Sequence, residues 1–67
     1  MGFSRWRHLD FERIEAKTDK AMLVRLIDVD EAIWFPLTQI DEPDQYETGD
    51  EDGVISVTEW IADKKGL

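Results

Sequence analysis

Cysteine is absent from the sequence, and His8 is the only histidine. The chain therefore has no disulfide and no thiol nucleophile, and it has too few Cys and His ligands for a structural zinc site. The absence of cysteine fits a reducing compartment. No apolar run approaches the ~18 residues of a membrane span, and the start of the chain lacks the apolar segment of a secretory signal. These absences predict a cytoplasmic protein that contacts no membrane.

Positive charge is missing from a long central stretch. Residues 26–63 contain no Lys or Arg but hold twelve of the sixteen acidic residues, and the net charge is −8. A surface of this kind repels phosphate and favours partners that tolerate or prefer an acidic face. Six basic residues precede this stretch, and they leave binding of single-stranded nucleic acid as an alternative function. They are Arg5, Arg7, Arg13, Lys17, Lys20 and Arg25.

The apolar pattern predicts short strands and one helix. The strands are expected at residues 11–17, 21–27, 32–35, 37–40 and 54–57, and the helix at 58–65. We expect a mainly β fold, with mixed α+β as the fallback. It would be a small curled sheet or an SH3-like or OB-like partly open barrel of about five strands with a short C-terminal helix. Residues 1–10 would form an N-terminal arm, and residues 11–67 a single small β domain with an acidic loop at 41–53. So small a core leaves monomer and homodimer open.

The three tryptophans, Trp6, Trp34 and Trp60, are spread along the sequence. Each can bury a large area, so we expect them to meet in one core. Stacking of bases on Trp34, Phe35 and Trp60 is the alternative. Acidic neighbours oppose base stacking, so core packing is the interpretation adopted for all three.

Two signals define the C-terminal helix. Ser56 as N-cap places Glu59 at the capping-box position and lets Ile55 pack against Trp60, whereas Thr58 as N-cap is the competing register. Gly66 follows Lys64 and Lys65, where a helix commonly ends in a left-handed residue.

The acidic loop is the candidate binding segment. A run of like charges repels itself and resists packing, so a mobile, solubilising loop is expected. The alternative is a DNA mimic with an anti-defence role, in which ordered carboxylates occupy a basic groove of another protein. The candidate binding residues are Asp41, Glu42, Asp44, Glu47, Asp50, Glu51 and Asp52.

Residues 48–59 partly match a calcium-binding EF-hand loop. Asp50, Asp52 and Glu59 occupy ligand positions, and Gly53 occupies the position of the sharp turn. Thr48, however, stands where the first carboxylate belongs, and Pro43 makes a poor entering helix. We therefore predict no metal site and keep these three acids as the alternative calcium ligands.

A catalytic set is not evident. Acids in turns and loops should be solvated, whereas catalytic carboxylates need a pocket. Ser4 and Ser56 have no evident base, and His8 has no predicted place near either serine. No glycine-rich phosphate loop occurs. We expect no enzyme activity, no catalytic residue and no cofactor.

Two segments carry a resemblance to a known group. The first reads Trp34-Phe35-Pro36-Leu37-Thr38-Gln39-Ile40, and the ending reads Glu59-Trp60-Ile61-Ala62-Asp63-Lys64-Lys65-Gly66-Leu67. With the Thr18-Asp19-Lys20-Ala21 segment before the apolar strand, they resemble small uncharacterised proteins of bacteriophages and prophages. The resemblance covers residues 18–67. Thr38 departs from the usual serine, and the acidic loop is heavier here.

The resemblance implies a setting rather than a chemistry. The group is associated with phage regions that also encode replication and recombination functions, and no activity or catalytic residue carries over. It implies that Trp34, Pro36, Trp60 and Gly66 matter to the fold. Together with the missing catalytic set, it predicts a non-catalytic phage-type accessory protein in the host cell cytoplasm. This protein would act by binding another macromolecule, most simply a host or phage protein.

Overall fold

The computed structural model describes residues 5–67 and places four strands and one α-helix in them. The elements are β1 (Trp6–Lys17), β2 (Ala21–Leu26), β3 (Ile33–Pro36), β4 (Glu51–Thr58) and α1 (Glu59–Lys64). The strands form one antiparallel sheet in the order β3-β2-β1-β4. This is a Greek-key order, in which a fourth strand returns beside the first. The predicted mainly β fold with a short C-terminal helix is confirmed.

The sheet is not a closed barrel, and the expected fifth strand is a different structure. Leu37–Gln39 forms a 3-10 turn, and Ile40 after it makes one isolated bridge to Val57 of β4. Pro36 has no N–H to donate, which suits the last residue of an edge strand. The chain turns there and only touches the outer edge of β4.

Two strands are longer than the sequence pattern predicts. β1 begins at Trp6, inside the predicted arm, and β4 begins at Glu51, inside the predicted acidic loop. The two strands pair from Trp6 opposite Thr58 to Arg13 opposite Glu51. Cross-strand hydrogen bonds therefore extend both strands into residues of weak strand propensity. Residues 1–4 of the predicted arm lie outside the described residues.

The core lies on one face of the curled sheet, and α1 packs beside it. Two irregularities in the pairing of β1 with β2 flank Ile14, and such bulges bend a strand and increase its twist. In β2 every second residue is fully buried, so this strand has one buried and one half-buried face. The buried apolar residues are Phe11, Ile14, Met22, Val24, Leu26, Phe35, Ile40, Ile55, Val57, Ile61 and Ala62.

The helix ends follow the second of the two predicted registers. Thr58 is the N-cap, and its Oγ1 accepts a hydrogen bond of 3.2 Å from the Ile61 amide. Ser56 does not cap α1, because it lies within β4. Gly66 has a φ of +76°, and its amide donates to the backbone carbonyl of Asp63. The Leu67 amide donates to the backbone carbonyl of Ala62. This is a Schellman ending, which confirms the predicted left-handed Gly66.

The tryptophan prediction is wrong. Trp6, Trp34 and Trp60 are 39%, 45% and 59% exposed, while Phe35, next to Trp34, is fully buried. In a strand, neighbouring side chains point to opposite faces, so Trp34 faces outward because Phe35 faces inward. In α1, Ile61 and Ala62 take the buried face instead of Trp60. The expected Ile55–Trp60 contact at the helix start belonged to the Ser56 register, which the chain does not adopt.

No helix within residues 5–67 combines the length and the apolar character that crossing a bilayer requires.

Candidate functional site

The connection between β3 and β4, residues 37–50, is anchored to the sheet rather than free of it. We call it the acidic crossover. The Lys17 ammonium donates hydrogen bonds to the carbonyls of Pro43 at 3.0 Å and Tyr46 at 2.9 Å. The Tyr46 ring packs edge-on against the Phe11 ring, with the two ring centres 6.2 Å apart, and the Tyr46 hydroxyl donates to the Val54 carbonyl. One cation and one aromatic ring thus hold the middle of the crossover.

Backbone hydrogen bonds fix both ends of the acidic crossover. The Asp41 amide donates a hydrogen bond of 2.9 Å to the backbone carbonyl of Ser56. At the other end, the Gly49 amide donates to Ile14, and the Ile14 amide donates to Asp50, both at 2.8 Å. The loop that was expected to be mobile and solubilising is thus bonded to β1 and β4 at both ends, and its carboxylates stay largely exposed.

The seven candidate binding acids lie along this anchored segment and the start of β4. All are exposed except Asp41, which is half-buried. None takes part in an ion pair within the described residues. The Asp50 carboxylate accepts a hydrogen bond of 2.9 Å from the Glu47 amide, which closes the turn before β4. The structure thus keeps the acids on one continuous segment, and none of them forms an ion pair with a base of the described residues.

The calcium alternative is not supported by the geometry. Asp52 is the second residue of β4, and Glu59 follows its last residue, so the strand separates them. At ~3.3 Å per residue, this separation is roughly 20 Å. The described residues contain no group of three or more acidic or histidine side chains that could hold a metal ion. Residues 48–59 form a turn, a strand and a helix start instead of a coordinating loop.

Three tryptophans form the main exposed apolar surface. Trp34 lies on β3, an edge strand, and faces outward opposite Leu23 of β2. Trp6 pairs with Thr58, the residue just before α1, and Trp60 lies in the first turn of α1. The Lys64 ammonium stands 5.0 Å from the centre of the Trp60 ring. The exposed rings thus occupy two places, the β3 edge and the start of the helix.

His8 and Ser56, which the sequence did not bring together, are in contact. The His8 Nδ1 atom lies 2.7 Å from the Ser56 Oγ atom, because β1 and β4 pair the two residues directly. In the described residues no hydrogen bond holds the other ring nitrogen. A serine nucleophile also needs an oriented base and donors for an oxyanion. The contact is a cross-strand hydrogen bond on an exposed face.

Three of the six predicted bases, Arg7, Lys17 and Arg25, are engaged in internal contacts. The Arg7 guanidinium contacts Asp63 at 3.1 Å and Glu59 at 3.5 Å, and donates to the Leu67 carbonyl. Arg25 donates to the Glu15 carboxylate at 2.8 Å. This hydrogen bond, with the positive charge of Arg25, lowers the pKa of Glu15. These bases are dispersed and paired, which weakens the single-stranded nucleic-acid alternative.

One cleft opens beside the first half of β1. Its volume is about 300 Å³. It lies between β1, the turn after β2 and the end of the chain, and its lining residues are His8, Leu9, Asp10, Leu26, Ile27, Asp28, Val29 and Leu67. This cleft was not predicted. The signal for it was the alternation of Leu9 and Phe11 with His8 and Asp10, which indicates a strand where an arm was expected.

Comparison with protein-family models, with curated proteins and with solved structures finds no match to this chain.

Proposed function

We propose that this protein is a non-catalytic accessory protein that acts by binding another protein. The observation that carries the proposal is the exposure of all three tryptophans, between 39% and 59%, on a chain of 67 residues. The core closes without them, since it is built from aliphatic residues with Phe11 and Phe35. The buried core therefore does not include the three tryptophan rings.

Exposed tryptophans suit a protein interface. Tryptophan is enriched among the residues that dominate binding energy, because a large rigid ring buries much area at a small loss of side-chain entropy. Trp34 and Leu23 form an adjacent apolar pair on the outer face. Burial of such a pair by a partner removes from water the surface that the fold leaves exposed.

Charge and burial point the same way. The net charge of −8 and the unpaired acids of the crossover favour a partner with a basic surface, which they would attract over distance. Among residues 5–67 no polar or charged side chain is buried. Catalytic groups with shifted pKa values are usually found in buried clefts, so this arrangement supports contact rather than turnover. The resemblance to small phage and prophage proteins supports a host or phage protein as the partner, in the host cell cytoplasm.

Quantitative capture from host lysate tests the proposal. The immobilised protein is compared with the variant Trp34→Ser/Trp60→Ser and with Val54→Ser, a control at another exposed apolar position. We expect one protein to be captured by the wild-type chain and by the control, and to be lost from the tryptophan variant. With the purified partner, the affinity loss should be about thirtyfold or more, as for hot-spot residues. Capture of nothing above background, or equal capture by all three proteins, would contradict the proposal.

An acidic DNA mimic is the second candidate, and the anchored crossover favours it. Mimicry requires carboxylates on a fixed backbone, and Lys17, Tyr46 and the backbone bonds to Ile14 supply that anchoring. The test is competition between this protein and DNA for a basic host protein. Neutralising the acids at 41–52 should abolish competition, whereas Trp34→Ser/Trp60→Ser should leave it intact. The opposite result would assign the contact to the tryptophans.

A further inference from the structure

Within the described residues, the first half of β1 has a strand partner on one side only. Residues 6–10 pair with β4, but pairing with β2 begins at Phe11. Beyond this point the described residues show one more backbone hydrogen bond between the two segments, of 3.2 Å from the Ile27 amide to the Asp10 carbonyl, and the turn after β2 then borders the cleft. We call the side of residues 6–10 that faces away from β4 the open edge of β1.

The alternation of hydrogen-bonded residue pairs along the β1–β4 ladder shows which backbone groups face the open edge. The Glu59 amide donates to the Arg5 carbonyl, which makes these two residues a hydrogen-bonded pair of the β1–β4 ladder. In an antiparallel ladder such pairs alternate along the strand. Arg7 and Leu9 therefore direct their backbone groups at β4, whereas Trp6 and His8 direct theirs at the open edge. The hydrogen bond that the Asp10 carbonyl accepts from the Ile27 amide on that side agrees with this alternation.

The cleft described above lies along the open edge and gives it two further properties. Its floor is apolar, because Leu9, Leu26 and Val29 line it. Ile27 on the rim is 56% exposed. The open edge thus combines unpaired strand groups with space for an aliphatic side chain.

The charge around this cleft is negative. Asp10 and Asp28 line it, and neither takes part in an ion pair within the described residues. Arg7, the nearest arginine along β1, is engaged with Asp63 and the Leu67 carbonyl, and the His8 ring, which also lines the cleft, contacts Ser56. A segment entering the cleft therefore meets two uncompensated carboxylates.

We infer that the open edge of β1 receives an extended, basic segment of another protein as an added strand, with an aliphatic side chain seated in the cleft. This inference rests on the proposed function and specifies its partner. Strand addition supplies main-chain hydrogen bonds for affinity, and pockets for alternate side chains supply specificity. Lysine or arginine beside the aliphatic residue complements Asp10 and Asp28.

A second copy of this chain is the less suitable occupant. Two copies meeting at this edge would place four carboxylates, Asp10 and Asp28 of each copy, at one interface, and each copy carries a net charge of −8. Like charges placed together at an interface oppose association. The charge pattern therefore selects a basic partner over self-pairing.

The test uses a short capped peptide of alternating lysine and valine as the probe, followed by NMR of the full chain. We expect shifts at Leu9, Leu26, Ile27 and Val29. Exchange of the His8 amide should slow about tenfold at a peptide concentration of about ten times the Kd. A peptide with glutamate in place of lysine should not bind.

Matched charge variants locate the contact. Asp10→Asn/Asp28→Asn should weaken peptide binding about fivefold, as expected for the loss of two surface ion pairs. Asp44→Asn/Glu47→Gln removes the same charge from the acidic crossover and should leave the affinity within experimental error. Peptides methylated on alternate backbone nitrogens test strand addition, since one set of nitrogens faces β1 and the other faces water. One methylated peptide should lose binding and the other should retain it.

Several outcomes would overturn the inference. The first is that the glutamate peptide binds as tightly as the lysine peptide. The second is that the two sets of methylated peptides lose binding equally. The third is that the NMR chemical-shift changes are confined to the crossover or to β3. Slow exchange of the His8 amide in the free protein would assign the edge to another part of the chain, or to a second copy if sedimentation shows a dimer. Lysate capture that depends on Trp34 and Trp60 would still support the proposed function in each of these cases.

Discussion

The two halves of β1 share one strand but differ in their neighbours. Residues 11–13 lie between β2 and β4, while Ile14 pairs with β2 on one side and bonds the acidic crossover on the other, and this half buries Phe11 and Ile14. Within the described residues, the stretch 6–10 has only β4 as a strand partner, and this half carries the exposed Trp6 and the exposed His8. Pairing on both sides builds the core, whereas pairing on one side leaves backbone groups and an aromatic ring available to a partner.

Within β1, the core and the open edge therefore come from different parts of one strand. The core half also anchors the acidic crossover through Lys17 and Ile14. The open half borders the cleft. Substitutions in the core half should therefore change stability, and those in the open half should change binding.

The largest effect is expected for Ile14→Ala. Ile14 is fully buried between β2 and the acidic crossover, so truncation should lower the free energy of unfolding by about 3 kcal/mol through lost burial and a residual cavity. Leu9→Ala in the open half, where the side chain is half-buried, should lower it by about half as much. Urea unfolding measures both. If Ile14→Ala does not fold, Ile14→Val should still show a loss of about 1 kcal/mol. Equal losses at the two positions would remove the distinction.

Gly53→Ala tests the close packing at the middle of β1. A Cβ atom at residue 53 would lie 2.6 Å from Cζ of the Phe11 ring, which is buried. The ring must move, and we expect a loss of about 2 kcal/mol in unfolding free energy. Phe11→Leu should be less harmful in the Gly53→Ala background than alone, because it removes the clash. Val54→Ala, at an exposed neighbour, serves as the control, and additive effects would exclude a clash.

Lys17→Met tests the anchor of the acidic crossover. The substitution keeps the apolar stem but removes the ammonium that bonds the Pro43 and Tyr46 carbonyls. We expect a loss of about 1 kcal/mol and faster exchange of the Tyr46 amide, which bonds Pro43 within the same turn. Lys20→Met, at an exposed position nearby, should change neither quantity. Unchanged exchange at Tyr46 would show that the aromatic contact with Phe11 suffices.

The smallest effect is a pH dependence from Glu15. The hydrogen bond from Arg25, followed by its charge, lowers the pKa of Glu15 in the folded state. The folded state therefore favours the ionised carboxylate, so this contribution is complete above the ordinary Glu pKa. It is lost as the pH falls through the lowered folded value. The urea midpoint of Glu15→Gln should lie below that of the wild type near neutral pH. The difference between the two midpoints should shrink as the solution is acidified. A difference that does not vary with pH would contradict the linkage, and Glu12→Gln is the matched control.

Local patterns were sufficient where one element decides the outcome. A nearly continuous apolar run identified β2, β-branched and aromatic residues identified β3, and the helix with its left-handed Gly66 followed from capping chemistry. Patterns failed where a partner strand decides the outcome. Pairing with β4 turned the expected arm into the first half of β1, and that register brought His8 to Ser56.

The amino-acid sequence by itself determined the acidic character, the mainly β composition and the end of the helix, because charge, strand propensity and capping act over a few neighbouring residues. Only the tertiary structure decided that the tryptophans face outward, that the crossover is anchored and that one edge of β1 stays open. Those properties depend on which face of each strand meets the core and on contacts between residues far apart in the chain, such as Lys17 with Tyr46. Such contacts form only when the sheet has set its register.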